Sequence, residues 1–325
     1  MKNLGIVGAG GFFGLSFIDA FLNGKLQAFG IEKLTLITRG PSSSLRRLAA
    51  NNLKNIHFIN SDICALTSLP ICDYWLHFAA SASNKRYQKD AKFEFNNNIQ
   101  NLQHFITLVE NTGCISSVLF ASSGAVYKTS LYALSEGAEL IEQNFSIDKS
   151  TAYEQSKLHG ETIVQNTSSS KIKVRIARCF SFCGPYLPLT SGFAIGDFIS
   201  DILANRTLQV SSVQPVLRSY LHTDDLVRWL MVMVTDRRAE GEIFNVGASD
   251  FISIRSAAKS LAAHFNLDVM LPNSESECNS LASTCYLPDV RKASQVLGLT
   301  PSQSSYDSIL RMAQAMVTIS NSDKK

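Results

Sequence analysis

Tyr153-Glu154-Gln155-Ser156-Lys157 sets a phenol and an ammonium four residues apart, which on a helix places both on one face. A phenol of pKa about 10 is a poor base at neutral pH, and a neighbouring ammonium stabilises the phenolate, moving it toward the range useful for proton transfer. Lys157 can also bind a nicotinamide ribose. The bland reading is a packed tyrosine beside a solvated lysine, since both types are common on helix faces. The upstream run Phe120-Ala121-Ser122-Ser123-Gly124-Ala125-Val126-Tyr127 sharpens the case. It reads as a strand end entering a loop, where Ser123 can donate to a reacting oxygen beside Tyr153 and stabilise charge as hydride moves. Alone, Ser-Ser would mark a turn or cap.

Such residues need a frame. Short β-branched runs at Leu4–Val7, Leu34–Thr38, Ile56–Ile59, Tyr74–Phe78, Val118–Ser122 and Val174–Cys179 alternate with helical patterns, which implies crossover helices. Right-handed crossovers bury both sheet faces, so residues 1–180 are expected to form a doubly wound parallel α/β sheet of the Rossmann kind, with a cofactor over the strand C-termini. After Gly184-Pro185 the pattern loosens. Residues 181–218 and 248–325 are read as a smaller α/β lobe capping the substrate, with 219–247 returning to the sheet. Helices are expected at Phe193–Ala204, Asp224–Thr235, Ile254–Phe265 and Tyr306–Val317, and a polar loop at Ser274–Ser283.

Gly8-Ala9-Gly10-Gly11-Phe12-Phe13-Gly14 follows the first strand and opens a helix. Gly8 permits the tight turn, Gly11 lets the backbone approach a pyrophosphate at the helix N-terminus, and Gly14 allows close helix–strand packing. A merely flexible turn is the alternative. The second strand ends Thr38-Arg39-Gly40, without the carboxylate that an NAD site uses to bind the adenosine ribose. Arg39, with Ser42, Ser43 and Arg46, could hold a 2′-phosphate instead, which favours NADP over NAD. Otherwise Arg39 only stacks on adenine. Asp62-Ile63 and Ala79-Ala80-Ser81 follow the third and fourth strands at positions that could touch the cofactor.

The 325 residues are 45% apolar and 18% charged, ordinary for a soluble enzyme, and the formal net charge of +3 comes from scattered residues. No basic stripe suggests nucleic acid. Seven cysteines without a CxxC pair argue for reduced thiols in a cytoplasmic setting and against zinc. No leader segment and no membrane span are expected. His222 with Asp224 and Asp225 is read as a strand-to-helix junction where Asp caps the helix, and His57, His77 and His104 as structural.

The sequence resembles the extended short-chain dehydrogenases that include nucleotide-sugar epimerases, 4,6-dehydratases and 4-ketoreductases, over nearly its whole length. The resemblance rests on Gly8-x-x-Gly11-x-x-Gly14, Asp62-Ile63, His77-Phe78-Ala79-Ala80, Asn98, Ser122-Ser123-x-x-Val126-Tyr127, Tyr153-x-x-x-Lys157-Leu158-x-x-Glu161 and Arg178-x-Phe180-x-x-x-Gly184-Pro185. Arg218-Ser219-Tyr220-Leu221-His222-x-x-Asp225-Leu226, Phe244-Asn245-Val246-Gly247 and Tyr286-x-x-Asp289-x-x-Lys292-Ala293 continue it. It implies a catalytic triad of Ser123, Tyr153 and Lys157. It also implies dinucleotide contacts from Phe12, Phe13, Asn98 and Ser122 besides the residues above, and substrate contacts from Ser123, Ser181 and Arg218. A nucleotide-diphosphate sugar is the implied substrate and a homodimer through the helices holding Asn98–Val109 and Tyr153–Val164 the implied assembly.

Within that resemblance, Gly124 and Ala125 stand where 4,6-dehydratases carry an Asp-Glu pair for water elimination, and Gly124 cannot serve as the cysteine of C3/C5 epimerases. Hydride transfer at one carbinol, normally C4, remains: a 4-ketoreductase or a C4 epimerase. The substrate side departs from the pattern at Ser181, at Cys183 and at Glu275-x-Glu277-Cys278-Asn279, where a phosphate-clamping arginine is missing; Arg291 or Arg206 could compensate, though each reads first as a surface charge. A 4,6-dehydratase, a reductase of a non-nucleotide ketone and a redox-inactive dinucleotide binder stay as alternatives.

Overall fold

A computed structural model describes residues 2–40, 45, 54–80, 84–144, 147–167, 169, 171–189, 192–272 and 284–322. Seven strands make one sheet: β1 (Lys2–Val7), β2 (Ile31–Thr38), β3 (Ile56–Asn60), β4 (Tyr74–His77), β5 (Ser116–Ser123), β6 (Ile172–Cys179) and β11 (Ile243–Val246). Their order is β11-β6-β5-β4-β1-β2-β3, and every neighbouring pair is parallel. The chain thus starts near the middle, winds out to β3, then crosses back and winds out the other way, as the alternating pattern requires.

Alternation along each strand feeds two cores. Ile6, Leu76, Leu119 and Ala121 face one cluster with Trp229, Leu230 and Met231, whereas Val7, Trp75, Val118 and Phe120 face another with Leu102, Phe105 and Val164. Helices α1 (Phe12–Leu22) and α6 (Thr223–Thr235) cover the first face; α3 (Ala91–Asn111), preceded by the short α2 (Asn84–Lys89), and α4 (Ala152–Thr167) cover the second. With both faces covered, the central strands are largely buried: β4 is buried at all four positions.

A third cluster forms apart from the sheet, joining α5 (Ala194–Leu203), α7 (Ile254–Phe265) and α9 (Ser305–Ser322) through Phe198, Ile199, Leu261, Ile309 and Met312. Short pairings frame it: β7 (Phe182–Cys183) with β10 (Leu221–His222), β8 (Leu208–Gln209) with β13 (Val269–Met270), and β9 (Val216–Arg218) between β12 (Ile252–Ser253) and β14 (Thr284–Tyr286). Helix α8 (Arg291–Leu297) lies against β11. The spacing predicts a last helix ending at Val317, yet α9 runs on to Ser322, because no glycine or proline breaks the polar tail that follows. The loop expected at Ser274–Ser283 lies outside the described residues. Among the described residues no helix is long and apolar enough to cross a membrane.

Candidate active site

The glycine turn leaves β1 at Gly8, whose φ of +90° favours glycine. A Cβ there would stand 2.7 Å from the Ala79 amide nitrogen, so the turn and the backbone leaving β4 pass in direct contact. The Gly8 and Ala9 amides donate to the Ile37 carbonyl at 3.0 and 3.1 Å, fastening the turn to β2. A Cβ at Gly14 would fall 2.4 Å from the Ala9 carbonyl oxygen, so only glycine lets α1 lie this close. Gly11 caps α1 without a side-chain hydrogen bond, and the first turn carries no acid. The opening amides, including those of Phe12 and Phe13, therefore offer a positive helix end and a bare approach, which fits a dinucleotide pyrophosphate. Phe13 packs edge-on against Phe78 and Phe182, at 5.3 and 5.2 Å between centroids, and holds the helix start over the sheet edge.

Beside the turn, Thr38 donates its hydroxyl to the Gly40 carbonyl at 3.2 Å. Arg39 is 61% exposed, with Nη1 3.8 Å from the Asp62 carboxylate. Asp62 also accepts from the Cys64 amide, capping a single turn that begins at the buried Ile63. Ala80 follows Ala79 from the end of β4. Ser42, Ser43, Arg46, Ser81 and the segment Glu275–Asn279 lie outside the described residues.

Ser123 closes β5, and α4 lays Tyr153 and Lys157 across the same strand end. Lys157 is buried and donates to the Ala121 carbonyl at 2.7 Å. Burial lowers its pKa to about 8, although Cys179 and Glu161 pull it upward. The Tyr153 phenol is pushed up to about 12 by burial, against a hydrogen bond from Ser123 that lowers it. The Lys157 ammonium lies 5.9 Å from the Tyr153 ring centroid. Spacing on one helix thus brings the two groups together, and the adjacent strand supplies the hydroxyl. His77, wedged between Phe105 and Phe120, has both ring nitrogens buried without a partner; burial first, then Lys157, lowers its pKa to about 3, so it is neutral.

One residue at this centre escapes the sequence reading. The Tyr286 hydroxyl, at the end of β14, stands 3.4 Å from Ser123 Oγ. Its signal was its place in the Tyr286-x-x-Asp289 pattern, which carries no hint of the partner. Arg218 pairs in register with Tyr286 and sets its guanidinium 5.9 Å from that ring. Ser181 meets β10 through its carbonyl, which accepts from the Leu221 amide.

Other expected contact residues have partners within the protein. Neighbours on a strand face opposite sides, and the hydroxyl of Ser122, one of the expected cofactor contacts, donates to Glu161 at 2.5 Å. There Arg178 holds Glu161 with two bonds of 2.9 and 2.7 Å and donates to Tyr127, which donates to Asn245. Asn98 on α3 ties in α2 and α4, donating to the Tyr87 hydroxyl at 2.7 Å and to Ser156 at 3.3 Å. The α6 cap is not an aspartate: the His222 ring accepts from the Asp224 amide, because Asp224 is drawn to Lys25 and Arg311 and Asp225 to Ser302 and Arg228. Arg291 pairs with Asp289 and Arg206 with Asp201, at the surface. Among the described residues no group of three or more His, Cys, Asp or Glu could hold a metal ion.

A doubly wound sheet whose first strand turns on glycines into a helix, with Ser123, Tyr153 and Lys157 at a neighbouring strand end, is a fold of the dinucleotide-binding class. Residues 4–247 match the NAD dependent epimerase/dehydratase family, and the chain belongs to it. It is an enzyme of the extended short-chain dehydrogenase type. A curated relative, UDP-glucuronic acid decarboxylase 4 of Arabidopsis thaliana, is 24% identical over 304 residues, which cover 91% of this chain and 64% of the relative; the chain therefore spans less than two thirds of that protein. The dTDP-glucose 4,6-dehydratase DesIV of Streptomyces venezuelae, solved with NAD and TYD bound, superposes with a TM-score of 0.79 at 22% identity, covering 96% of both chains. The UDP-glucose 4-epimerase of Thermotoga maritima, solved with UDP-glucose, gives 0.77 at 18% identity, covering 98% of this chain and 99% of that one.

Proposed function

We propose that the protein moves a hydride at C4 of a nucleotide-diphosphate sugar, as a 4-ketoreductase or a C4 epimerase. The observation that carries this reading is the convergence of Ser123, Tyr153 and Lys157 at one strand end, with no carboxylate at 124 or 125. A dinucleotide held at Gly8, Gly11 and Gly14 supplies the hydride acceptor or donor. Ser123 then orients the sugar oxygen, and Tyr153 passes the proton to or from it. Buried Lys157, beside the Tyr153 ring, binds ribose. Arg218 and Ser181 are assigned to the substrate side. NADP is the favoured cofactor, on the missing strand-two carboxylate and the exposed Arg39. A cytoplasmic homodimer through the outer faces of α3 and α4 accompanies the reading, supported by Phe93, which is 61% exposed on α3.

The test begins with the protein as purified: denature it, identify any released dinucleotide, and measure thermal shifts with NAD, NADH, NADP and NADPH. Retained NAD supports an epimerase that recycles its cofactor; selective stabilisation by NADPH supports a ketoreductase. Product analysis by NMR with UDP-glucose, UDP-glucuronic acid and dTDP-glucose follows. Inversion at C4, or reduction of the corresponding 4-keto sugar, is the expected result. A 4-keto-6-deoxy product would overturn the reading in favour of elimination, and stoichiometric carbon dioxide from UDP-glucuronic acid would replace it with decarboxylation.

A further inference from the structure

We propose that Tyr286 is a positioning residue for Ser123, fixing the direction in which the serine hydroxyl presents its proton. Oγ of a serine has two lone pairs and one hydrogen. The Ala125 amide donates to Ser123 Oγ at 3.2 Å, and the Tyr286 hydroxyl stands at 3.4 Å. When Tyr286 donates, both lone pairs are taken and the serine hydrogen is left for the reacting oxygen. The chain of donors then runs from Tyr286 to Ser123 to the reacting oxygen. The distance is long for two hydroxyls, and catalytic bonds of this kind tighten when substrate is engaged.

The tyrosine is itself held. Its ring stacks on Phe180 at 4.8 Å and 37°, Arg218 lies over it, and β14 is hydrogen-bonded to β9 in a register that sets Tyr286 opposite Arg218. A backbone bridge from Cys285 to Ser130 fixes the strand from its other side. A rigid ring gives its hydroxyl a fixed direction, which a serine rotor lacks. The smaller lobe thus reaches the chemistry through a hydroxyl that orients Ser123, and docking of β14 is linked to a competent Ser123.

The kinetic arm rests on the C4 hydride-transfer reading; the second arm does not. With UDP-glucose and UDP-glucuronic acid as substrates, Tyr286→Phe keeps the ring stack and is expected to lower kcat about ten-fold while KM stays within about two-fold. In a Ser123→Ala background the same change should cost nothing more, since the group it acts through is gone. Additive losses, or a loss confined to KM, would overturn the proposal and make Tyr286 a direct substrate contact. For the second arm, Ser123→Cys is titrated by alkylation with iodoacetamide and read by mass of the peptide. Adding Tyr286→Phe should raise that thiol's midpoint by about one pH unit, because a donor to the thiolate is lost; an unmoved midpoint overturns the proposal. Failure of both sugars to turn over sinks the substrate reading and leaves the thiol result to decide this one.

Discussion

Gly124 lies flat against Phe180: a Cβ at that position would come within 2.7 Å of the ring's Cζ. The site is therefore closed at 124 to any side chain, not merely lacking an acid there. Gly124→Ala must push Phe180 into Tyr286 and Tyr127, whose rings it contacts at 4.8 and 6.2 Å. We expect a loss of about 1–3 kcal/mol in urea unfolding, the usual cost of overpacking, together with lower turnover. Ala125→Ser, at a half-buried position, is the matched control, and equal stability of the two variants would refute the steric account.

Tyr153→Phe removes only the phenol oxygen. Turnover should fall about a hundred- to ten-thousand-fold, the range for a lost acid or base, while the dinucleotide Kd, followed by fluorescence, stays nearly constant. Unchanged turnover would end the mechanism.

Lys157 has a folded pKa of about 8 against an ordinary 10.5, so its charge is disfavoured in the fold. Between those pH values the unfolded chain holds a proton that the folded chain has released, and stability rises with pH across the window. Below pH 8 the buried charge costs on the order of 3 kcal/mol. Lys157→Met should be inactive, more stable than wild type at pH 7, and flatter in stability between pH 8 and 10.5. Denaturant titrations across that range check it; an identical slope in both proteins would contradict it.

Arg178 and Glu161 are each 3% exposed and paired at 2.7 Å. Arg178→Met leaves a buried carboxylate that, among the described residues, Ser122 alone still serves, and should destabilise by about 3–5 kcal/mol. Arg178→Met with Glu161→Leu removes the stranded charge and should recover much of the loss. A double variant no more stable than the single would show that the pair's wider hydrogen bonds, not its charge balance, dominate.

Arg39 is the test of cofactor choice. Arg39→Ala should weaken NADPH binding about ten-fold or more and NADH far less, as expected for a charge-assisted bond to a 2′-phosphate. Asp62→Asn keeps the cap on Cys64 and removes the competing charge, so it should tighten NADPH. Calorimetric Kd values that fall equally for both nucleotides after Arg39→Ala would show that Arg39 reads no phosphate.

Short periodicities account for the part of this protein that is legible in its residues alone. The glycine spacing from Gly8 to Gly14 dictates a turn entering a helix, β-branched runs between helical patterns dictate a parallel sheet wound both ways, and the four-residue step from Tyr153 to Lys157 dictates a shared face. Packing between distant segments settles the rest. That Ser122 meets Glu161 while Ser123 meets Tyr286 depends on where α4 and β14 dock on the strand, and the burial that lowers Lys157 depends on Phe120 and Ala121 of β5. Tyr286 reaches Ser123 across 163 residues of chain, and His222 caps α6 only because its aspartates are claimed by Lys25, Arg311, Ser302 and Arg228. These are contacts between segments far apart in sequence, set by sheet order and lobe docking, and no local pattern encodes the partner.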